Sequence, residues 1–278
     1  MPSIAITGAT GVVGGRTAAR LAARGVPTRL IVRDPSRAPA LDGAEVRFAS
    51  GYGAREEMTA ALEGIRTLFL IPAHETADRV EQHKTAVDAA VDAGVEHLVY
   101  LSYVDASIAS TFTLGRQHGA TENHIRTTGV PHTFLRMNLY SDFIPLMAGE
   151  DGVIRGPAGD GRLAAVRRAD IAEAAAVVLA GEGHEGETYD LTGPEAFTLE
   201  EAAETISRLT GRETRFHDET VEEAYASRAG YGAPDWQVEA WVSTYTSIAA
   251  GDLEAVSDDV RKLTGAEPGT LADVLRGR

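Results

Sequence analysis

Ile4-Ala5-Ile6-Thr7-Gly8-Ala9-Thr10-Gly11-Val12-Val13-Gly14 runs an apolar strand into three glycines at G-x-x-G-x-x-G spacing and then into an alanine-rich helix. Gly8 allows the tight turn, Gly11 lets the backbone approach a pyrophosphate with no Cβ in the way, and Gly14 lets the helix pack close to the strand. The anion then rests on free N–H groups at the helix N-terminus, where the macrodipole is favourable. Three glycines alone often make only a turn. Here residues 12–24 read as a helix and Thr28–Val32 as the second strand of a βαβ unit, so the stretch predicts a dinucleotide site that includes Thr10, Val12 and Val13.

The rest of the chain keeps the same rhythm as far as Asn138. Residues 45–49 form a short third strand and Arg55–Leu62 a helix. Residues 67–71 lack polar alternation, as expected of a strand in a parallel sheet covered on both faces, and Pro72 ends it. Residues 76–93 carry Val80, Val87, Ala90 and Val91 near helical spacing and stop at Gly94, a C-cap signal. A fifth strand at 97–102, a helix at 114–128 and a sixth strand at 131–136 follow. Short joints between alternating strands and helices imply right-handed crossovers and an α/β fold with a doubly wound parallel sheet.

Beyond Asn138 the pattern changes. Residues 149–161, rich in glycine, predict a loop or short hairpin outside the main sheet, and 162–166 a strand of a smaller lobe. Asp170 is placed to N-cap a helix over 171–180, and 187–191 reads as a strand returning to the main sheet. Thr198-Leu199-Glu200-Glu201 is a capping box. Residues 220–228, 234–248 and 270–275 read as helical. The expected organisation is a dinucleotide-binding domain over 1–148 and a smaller, mainly substrate-binding α+β lobe over 149–278, from which one strand, about 187–192, returns to the main sheet.

Composition narrows the partners. Of 278 residues, 41 are acidic and 26 are lysine or arginine, a formal charge of −15, so contact with nucleic acid or an anionic membrane surface is disfavoured. The absence of cysteine excludes disulfides, thiolate metal sites and a cysteine nucleophile. No His-x-x-x-His or acidic cluster at ligand spacing points to a metal, and neither G-x-S-x-G nor the P-loop pattern occurs. The start runs directly into the first strand without a signal peptide, and no apolar run is long enough to span a bilayer, so a cytoplasmic protein is expected.

In an open parallel sheet the ligand lies over the carboxyl ends of the strands. That selects residues 7–14, Arg33, Ile71, Pro72, Ala73, His74, Ser102, Tyr103 and residues 138–140. At the end of the second strand a carboxylate would bind the ribose hydroxyls of NAD, whereas this chain has Arg33, followed by Asp34 and Arg37. A guanidinium there suits a 2′-phosphate and favours NADP(H). The alternative is an exposed strand-end Arg33 with Asp34 on the ribose. His74 reads as a solvated loop histidine as readily as a ligand. Trp236 and Trp241, near Tyr231 and Tyr245, either wall an aromatic pocket or pack the core of the second lobe.

Taken together, Thr7-Gly8-Ala9-Thr10-Gly11, Val32-Arg33-Asp34-Pro35-Ser36-Arg37, His118-Gly119-Ala120-Thr121-Glu122, Leu135-Arg136 with Tyr140, and Gly186-Glu187-Thr188-Tyr189-Asp190-Leu191-Thr192-Gly193 resemble the NmrA-like group of atypical short-chain dehydrogenases, and within it the NADPH:quinone reductases and triphenylmethane reductases. The resemblance covers almost the whole chain. It implies a Rossmann sheet, NADP(H) as cofactor and a small aromatic or quinone-like substrate, in a monomer or homodimer.

The Tyr-x-x-x-Lys pair of ordinary short-chain dehydrogenases cannot form here. Four residues before the two lysines, Lys84 and Lys262, stand Val80 and Asp258. The corresponding helix offers His118 and Glu122, one turn apart on one face, as either a catalytic pair or a packing pair. Where the family often has a lysine after that glutamate, this chain has Asn123. Quinone reduction asks less of the protein than alcohol oxidation, because positioning supplies most of the catalysis. Ser102, Tyr103, His118 and Tyr140 are the polar groups expected near the nicotinamide, and a cofactor-binding sensor without turnover is the competing function.

Overall fold

The computed structural model describes residues 2–277. Ile4–Thr7 forms β1, four consecutive buried residues, and Gly8, at φ +63°, turns the chain out of it. Helix α1 (Val12–Ala23) follows and ends before Gly25, which adopts φ +70°. Then come β2 (Thr28–Val32), β3 (Ala44–Phe48), α2 (Arg55–Leu62), β4 (Thr67–Leu70), α3 (Arg79–Asp92), β5 (His97–Tyr103), α4 (Thr113–Thr128) and β6 (His132–Met137). The second half carries β7 (Val153–Gly156), β8 (Arg162–Leu163), α5 (Arg168–Ala180), β9 (Thr188–Leu191), β10 (Phe197–Thr198), α6 (Leu199–Thr210), β11 (Arg215–Asp218), α7 (Val221–Arg228), α8 (Asp235–Ala249), α9 (Asp259–Thr264) and α10 (Leu271–Leu275).

The main sheet has the order β3-β2-β1-β4-β5-β6-β9. Ile4 pairs with Thr28 on one side and Thr67 on the other, both in parallel register, so the strand order reverses between β1 and β4. A crevice opens at such a reversal above the carboxyl ends of the strands, which is where an α/β sheet takes its ligand. The expected return strand is β9: Phe134 N–H donates to the Glu187 carbonyl and Asn138 N–H to that of Leu191.

Contacts divide the chain into two compact units. The first comprises residues 1–103, 117–136 and 171–189, the second 104–116, 137–170 and 190–278. In the first unit Ala5, Leu68, Leu70, Leu98, Tyr100 and Phe134 pack with Met58 and Leu62 of α2 and with Ala86, Val87 and Ala90 of α3. Each fully buried large apolar side chain contributes about 1.5–3 kcal/mol, enough to fix the helices against the sheet.

In the second unit β7 pairs in parallel with β11, and β8 antiparallel with β10. Residues 149–161 lie outside the main sheet as expected, with Ile154 of β7 bridged antiparallel to Ala148 across the turn at 149–152, whereas β11, whose Arg-Phe-His-Asp sequence lacks an apolar alternation, was not expected. The strand expected over 162–166 is regular only at Arg162–Leu163. Beyond it Ala164 N–H turns to the Leu253 carbonyl and Val166 N–H to that of Leu139. Asp170 is not an N-cap: α5 starts at Arg168, whose N–H donates to Asp142 Oδ2 (2.8 Å). Asp170 instead binds Arg167 through two hydrogen bonds of 2.9 and 2.8 Å and accepts from Gly269 N–H (2.8 Å). The capping box stands as expected, with Thr198 and Glu201 bonded reciprocally. Among the described residues no helix is long and apolar enough to cross a membrane.

Candidate functional site

The glycine loop is a cradle that side chains would close. A Cβ on Gly14 would lie 2.4 Å from the Gly8 carbonyl oxygen and 2.9 Å from Ile71 Cδ1, so only glycine lets α1 start this close to β1. On Gly8 a Cβ would meet Ile71 Cβ at 3.2 Å, and on Gly11 the Gly8 oxygen at 3.3 Å. Gly11 is the N-cap of α1, and no side chain caps the helix. The first-turn amides of Val12, Val13 and Gly14 have no partner inside a helix by its geometry. Thr10, Gly11 and Val12 are exposed, while the Val13 side chain is buried and leaves only its backbone for a ligand. A bare helix N-terminus with space for an anion above it is a phosphate site in both shape and charge.

Beside it, β2 ends at Val32 and Arg33 is exposed. Among the described residues no carboxylate pairs with it. Asp34 is engaged: its Oδ1 accepts from Ser36 N–H (3.0 Å) and Ser36 Oγ (2.6 Å), capping the turn Pro35–Arg37. Those two bonds hold the Asp34 carboxyl below its usual range, with the Arg37 charge a smaller contribution. Of the two residues weighed for the ribose, Asp34 has one carboxylate oxygen taken by Ser36, whereas the Arg33 guanidinium has no carboxylate paired to it among the described residues. Arg37 is also exposed, on the same turn.

Ile71 and Pro72, expected at the cofactor, leave β4 half-buried, with Ile71 against the glycine loop. Tyr52, which the sequence did not single out, brings its hydroxyl 2.6 Å from Thr7 Oγ1 and donates to the Ile71 carbonyl. His74 is exposed, in keeping with a solvated loop histidine.

The polar residues of β5 and α4 form a buried layer. His118 is 2% exposed, its Nδ1 lies 2.9 Å from the Tyr100 hydroxyl, and the Tyr103 ring stacks on it at 6.1 Å. Burial, and then the charge of Arg79, push His118 far below its ordinary range, so it is a neutral imidazole and not a proton-donating imidazolium. Tyr100 is pushed up by burial and stays a phenol. Its position inside an unbroken apolar strand gave no hint of this partnership.

Ser102 and Glu122 depart from the ligand-facing roles considered for them. Both are fully buried, and the Ser102 hydroxyl donates to Glu122 Oε1 (2.6 Å). Arg136 grips the same carboxylate through two bonds of 2.9 and 2.7 Å, and Arg126 adds a third arginine bond of 2.8 Å. The bonds from Ser102 and Arg136 hold α4 to β5 and β6, and the Arg126 bond, one turn along α4, fills the remaining acceptor capacity of Glu122. His118 and Glu122 share a helix face without acting on each other, because each found a partner on the sheet first.

In the second unit Tyr140 follows β6 and is half-buried, bridged to Val166, with the Arg168 guanidinium 5.7 Å from its ring centre. Beyond the carboxyl ends of β5, β6 and β9 lies a cavity of about 310 Å³ lined by Asn138, Thr192 and Ser257 together with Asp105, Asp190 and Asp252. Three carboxylates make it unsuited to an anionic ligand. Trp241 follows the packing alternative: it lies against Ala224, Val238 and Val242 and meets Tyr231 edge to face at 6.1 Å.

Comparison with known proteins bears on this arrangement. The sequence model described as the NmrA-like family matches residues 2–247. The chain is 35% identical to quinone oxidoreductase 2 of Escherichia coli over 278 aligned residues, 97% of this chain and 96% of that protein. Its structure is similar to the E. coli NADPH-dependent quinone oxidoreductase in complex with NADPH, with a TM-score of 0.89, 35% identity and 99% of each chain covered. It is also similar to the Citrobacter sp. triphenylmethane reductase in complex with NADP(H), with a TM-score of 0.87, 35% identity and 99% of each chain covered.

Proposed function

The chain belongs to the NmrA-like family, and on that premise we propose that it is an NADPH-dependent reductase of quinones or similar electron-poor conjugated molecules. One observation carries the cofactor: the Gly8-to-Gly14 cradle, where an added Cβ at Gly14 would strike backbone at 2.4 Å, opens on an uncapped helix N-terminus, and at the end of the neighbouring strand Arg33 is exposed with no carboxylate paired to it among the described residues. These residues fit a dinucleotide carrying an extra phosphate. The backbone of residues 11–14 would take the pyrophosphate, Arg33 and Arg37 the 2′-phosphate, and the Ile71-Pro72 backbone the next part of the cofactor. When bound, NADPH supplies a hydride.

The chain's own groups then position the acceptor and manage one proton. Reduction leaves an anion on the substrate oxygen, and a phenol at hydrogen-bond range or a water protonates it. Of the four polar groups expected there, Ser102 is committed to Glu122, and His118 and Tyr103 are buried against each other. Tyr140 alone keeps partial exposure and is our candidate donor, its phenol set by the stacked Arg168. The names of E. coli quinone oxidoreductase 2 and of the triphenylmethane reductase give a quinone and a triphenylmethane as what they act on, which supports a conjugated aromatic acceptor for this chain.

Purified protein should consume NADPH with one or more members of a quinone panel faster than the uncatalysed reaction. Tyr140→Phe should lower kcat/KM by roughly ten- to a hundred-fold, the scale of an acid–base contribution partly replaceable by water, with NADPH affinity within a few-fold. Tight NADPH binding with no consumption across the panel would contradict turnover and favour a sensor.

A further inference from the structure

Immediately beyond β4, the backbone of Ile71-Pro72-Ala73 is gripped by polar side chains on both sides. Ile71 N–H donates to Thr7 Oγ1 (2.9 Å), and the Ile71 carbonyl accepts from Tyr52. Pro72 has no N–H to satisfy. Ala73 N–H donates to His83 Nε2 (2.9 Å), and the Ala73 carbonyl accepts from Arg79 Nε (3.0 Å). Since Nε2 accepts, the His83 proton belongs on Nδ1, which faces Thr121 Oγ1 at 2.9 Å. Thr121 in turn donates to the Gln117 carbonyl (2.9 Å), and the Gln117 side chain accepts from Arg79 (3.0 Å). The ring Ala73–His83–Thr121–Gln117–Arg79 closes on itself.

Two features of this ring are expensive for stability alone. Arg79 is 5% exposed and has only neutral acceptors, with no carboxylate paired to it among the described residues. A buried cation without a counter-ion costs far more than a methionine of similar length would. His83 is fully buried at a position of α3 that an aliphatic side chain would fill without polar partners. Meanwhile the held segment borders the glycine loop, where a Cβ on Gly14 would come within 2.9 Å of Ile71 Cδ1. It leaves β4, the first strand past the reversal in strand order, on the side of the crevice opposite the β2 end that carries Arg33.

We infer that Arg79 and His83 are positioning residues for the cofactor: they clamp the Ala73 peptide from both sides, so the nicotinamide half meets a backbone ledge already in its binding shape. This rests on the NADP(H) reading above. A ledge ordered in advance spares the cofactor the cost of ordering it, and keeps the reacting ring from wandering.

Two measurements test it, the first on cofactor-free protein. The Ala73 amide of the wild type should exchange with solvent as slowly as the amides of β4, and His83→Leu or Arg79→Met should release it. Exchange at the rate of an unstructured amide in the wild type overturns the clamp. The second is single-turnover NADPH oxidation at saturating quinone beside NADPH affinity from fluorescence titration. His83→Leu and Arg79→Met should slow oxidation by roughly ten- to a hundred-fold, the scale for a misplacement near 1 Å, while affinity moves less than about five-fold. His83→Gln, which keeps an acceptor near the Nε2 position, and Arg79→Lys, which keeps a donor, should recover most of the rate. Equal rates in all four variants, or affinity losses that account for every rate change, overturn it. If the Leu and Met variants do not fold, the wild-type Ala73 exchange and the Gln and Lys rates decide. A wild type that binds NADPH without consuming it contradicts the reductase reading, and the exchange data then judge the clamp separately.

Discussion

Arg33 is the residue we propose to set the choice of dinucleotide, because it stands at the carboxyl end of β2 with no carboxylate against it among the described residues, whereas Asp34 Oδ1 is tied to Ser36. A charge-assisted contact to a 2′-phosphate is worth on the order of 1.5–3 kcal/mol, or roughly ten- to a hundred-fold in affinity. Arg33→Ala should weaken NADPH by about that factor and leave NADH nearly unchanged, as read by fluorescence titration, and Arg33→Ala with Arg37→Ala should remove any shared load. A double variant that keeps its preference would pass the ribose to Asp34 or the backbone. Glu122 makes the opposite case of a residue whose type suggested chemistry and whose surroundings assign structure. It is fully buried while Arg136 and Arg126 keep 24% and 45% side-chain exposure. Glu122→Gln should therefore cost about 3 kcal/mol in urea unfolding, toward the lower end for a broken buried pair because the arginines stay partly hydrated. Activity lost at unchanged stability would instead restore a catalytic role.

The elements that position the site were legible where local chemistry decides them. Strand, glycine turn and helix over residues 4–23 follow from apolar run, φ > 0 and N-terminal geometry, and the close approach at Gly14 follows from its spacing. Gly14→Ala should accordingly cost about 1–3 kcal/mol by overpacking and abolish measurable nucleotide binding, since backbone has to move; thermal melting beside the titration checks both. What escaped the sequence depends on partners far along the chain. His83 lies on one stripe of α3 with Ala86, Val87 and Ala90, a polar interruption of an apolar face that went unread in the sequence, and Arg79 and Tyr100 carried no local sign at all. β11 was missed because its exposed polar residues take strand geometry only from β7. His83 also makes α3 acid-sensitive. Burial and the Arg79 charge lower its pKa from 6.5 to about 3. The unfolded chain thus binds the proton first, so this contribution is complete above about pH 6.5 and is lost as pH falls toward 3, at up to about 1.4 kcal/mol per pH unit. Urea midpoints between pH 7 and 4.5 should fall more steeply in the wild type than in His83→Gln; parallel slopes would refute the assignment.

At the scale of the molecule, the proposed reductase has one glycine motif on one seven-stranded sheet, and the account predicts direct transfer between cofactor and acceptor without a flavin. Purified protein should be colourless above the near ultraviolet, and a stoichiometric yellow chromophore would contradict a direct mechanism. The charge of −15 makes the approach of an anionic cofactor unfavourable overall, and in the proposed site the local field of Arg33, Arg37 and the α1 N-terminus would draw it in. Substrate choice was the least legible property, because the half-buried Tyr140 and the residues after β6 owe their setting to Val166 and Arg168, nearly thirty residues further on. The most direct measurement is kcat/KM for NADPH against NADH with one quinone acceptor and the wild-type protein. The account predicts quinone-dependent consumption that favours NADPH by roughly ten- to a hundred-fold, the worth of one charge-assisted phosphate contact. Equal use of the two cofactors, or no consumption of either above the uncatalysed rate, would contradict it.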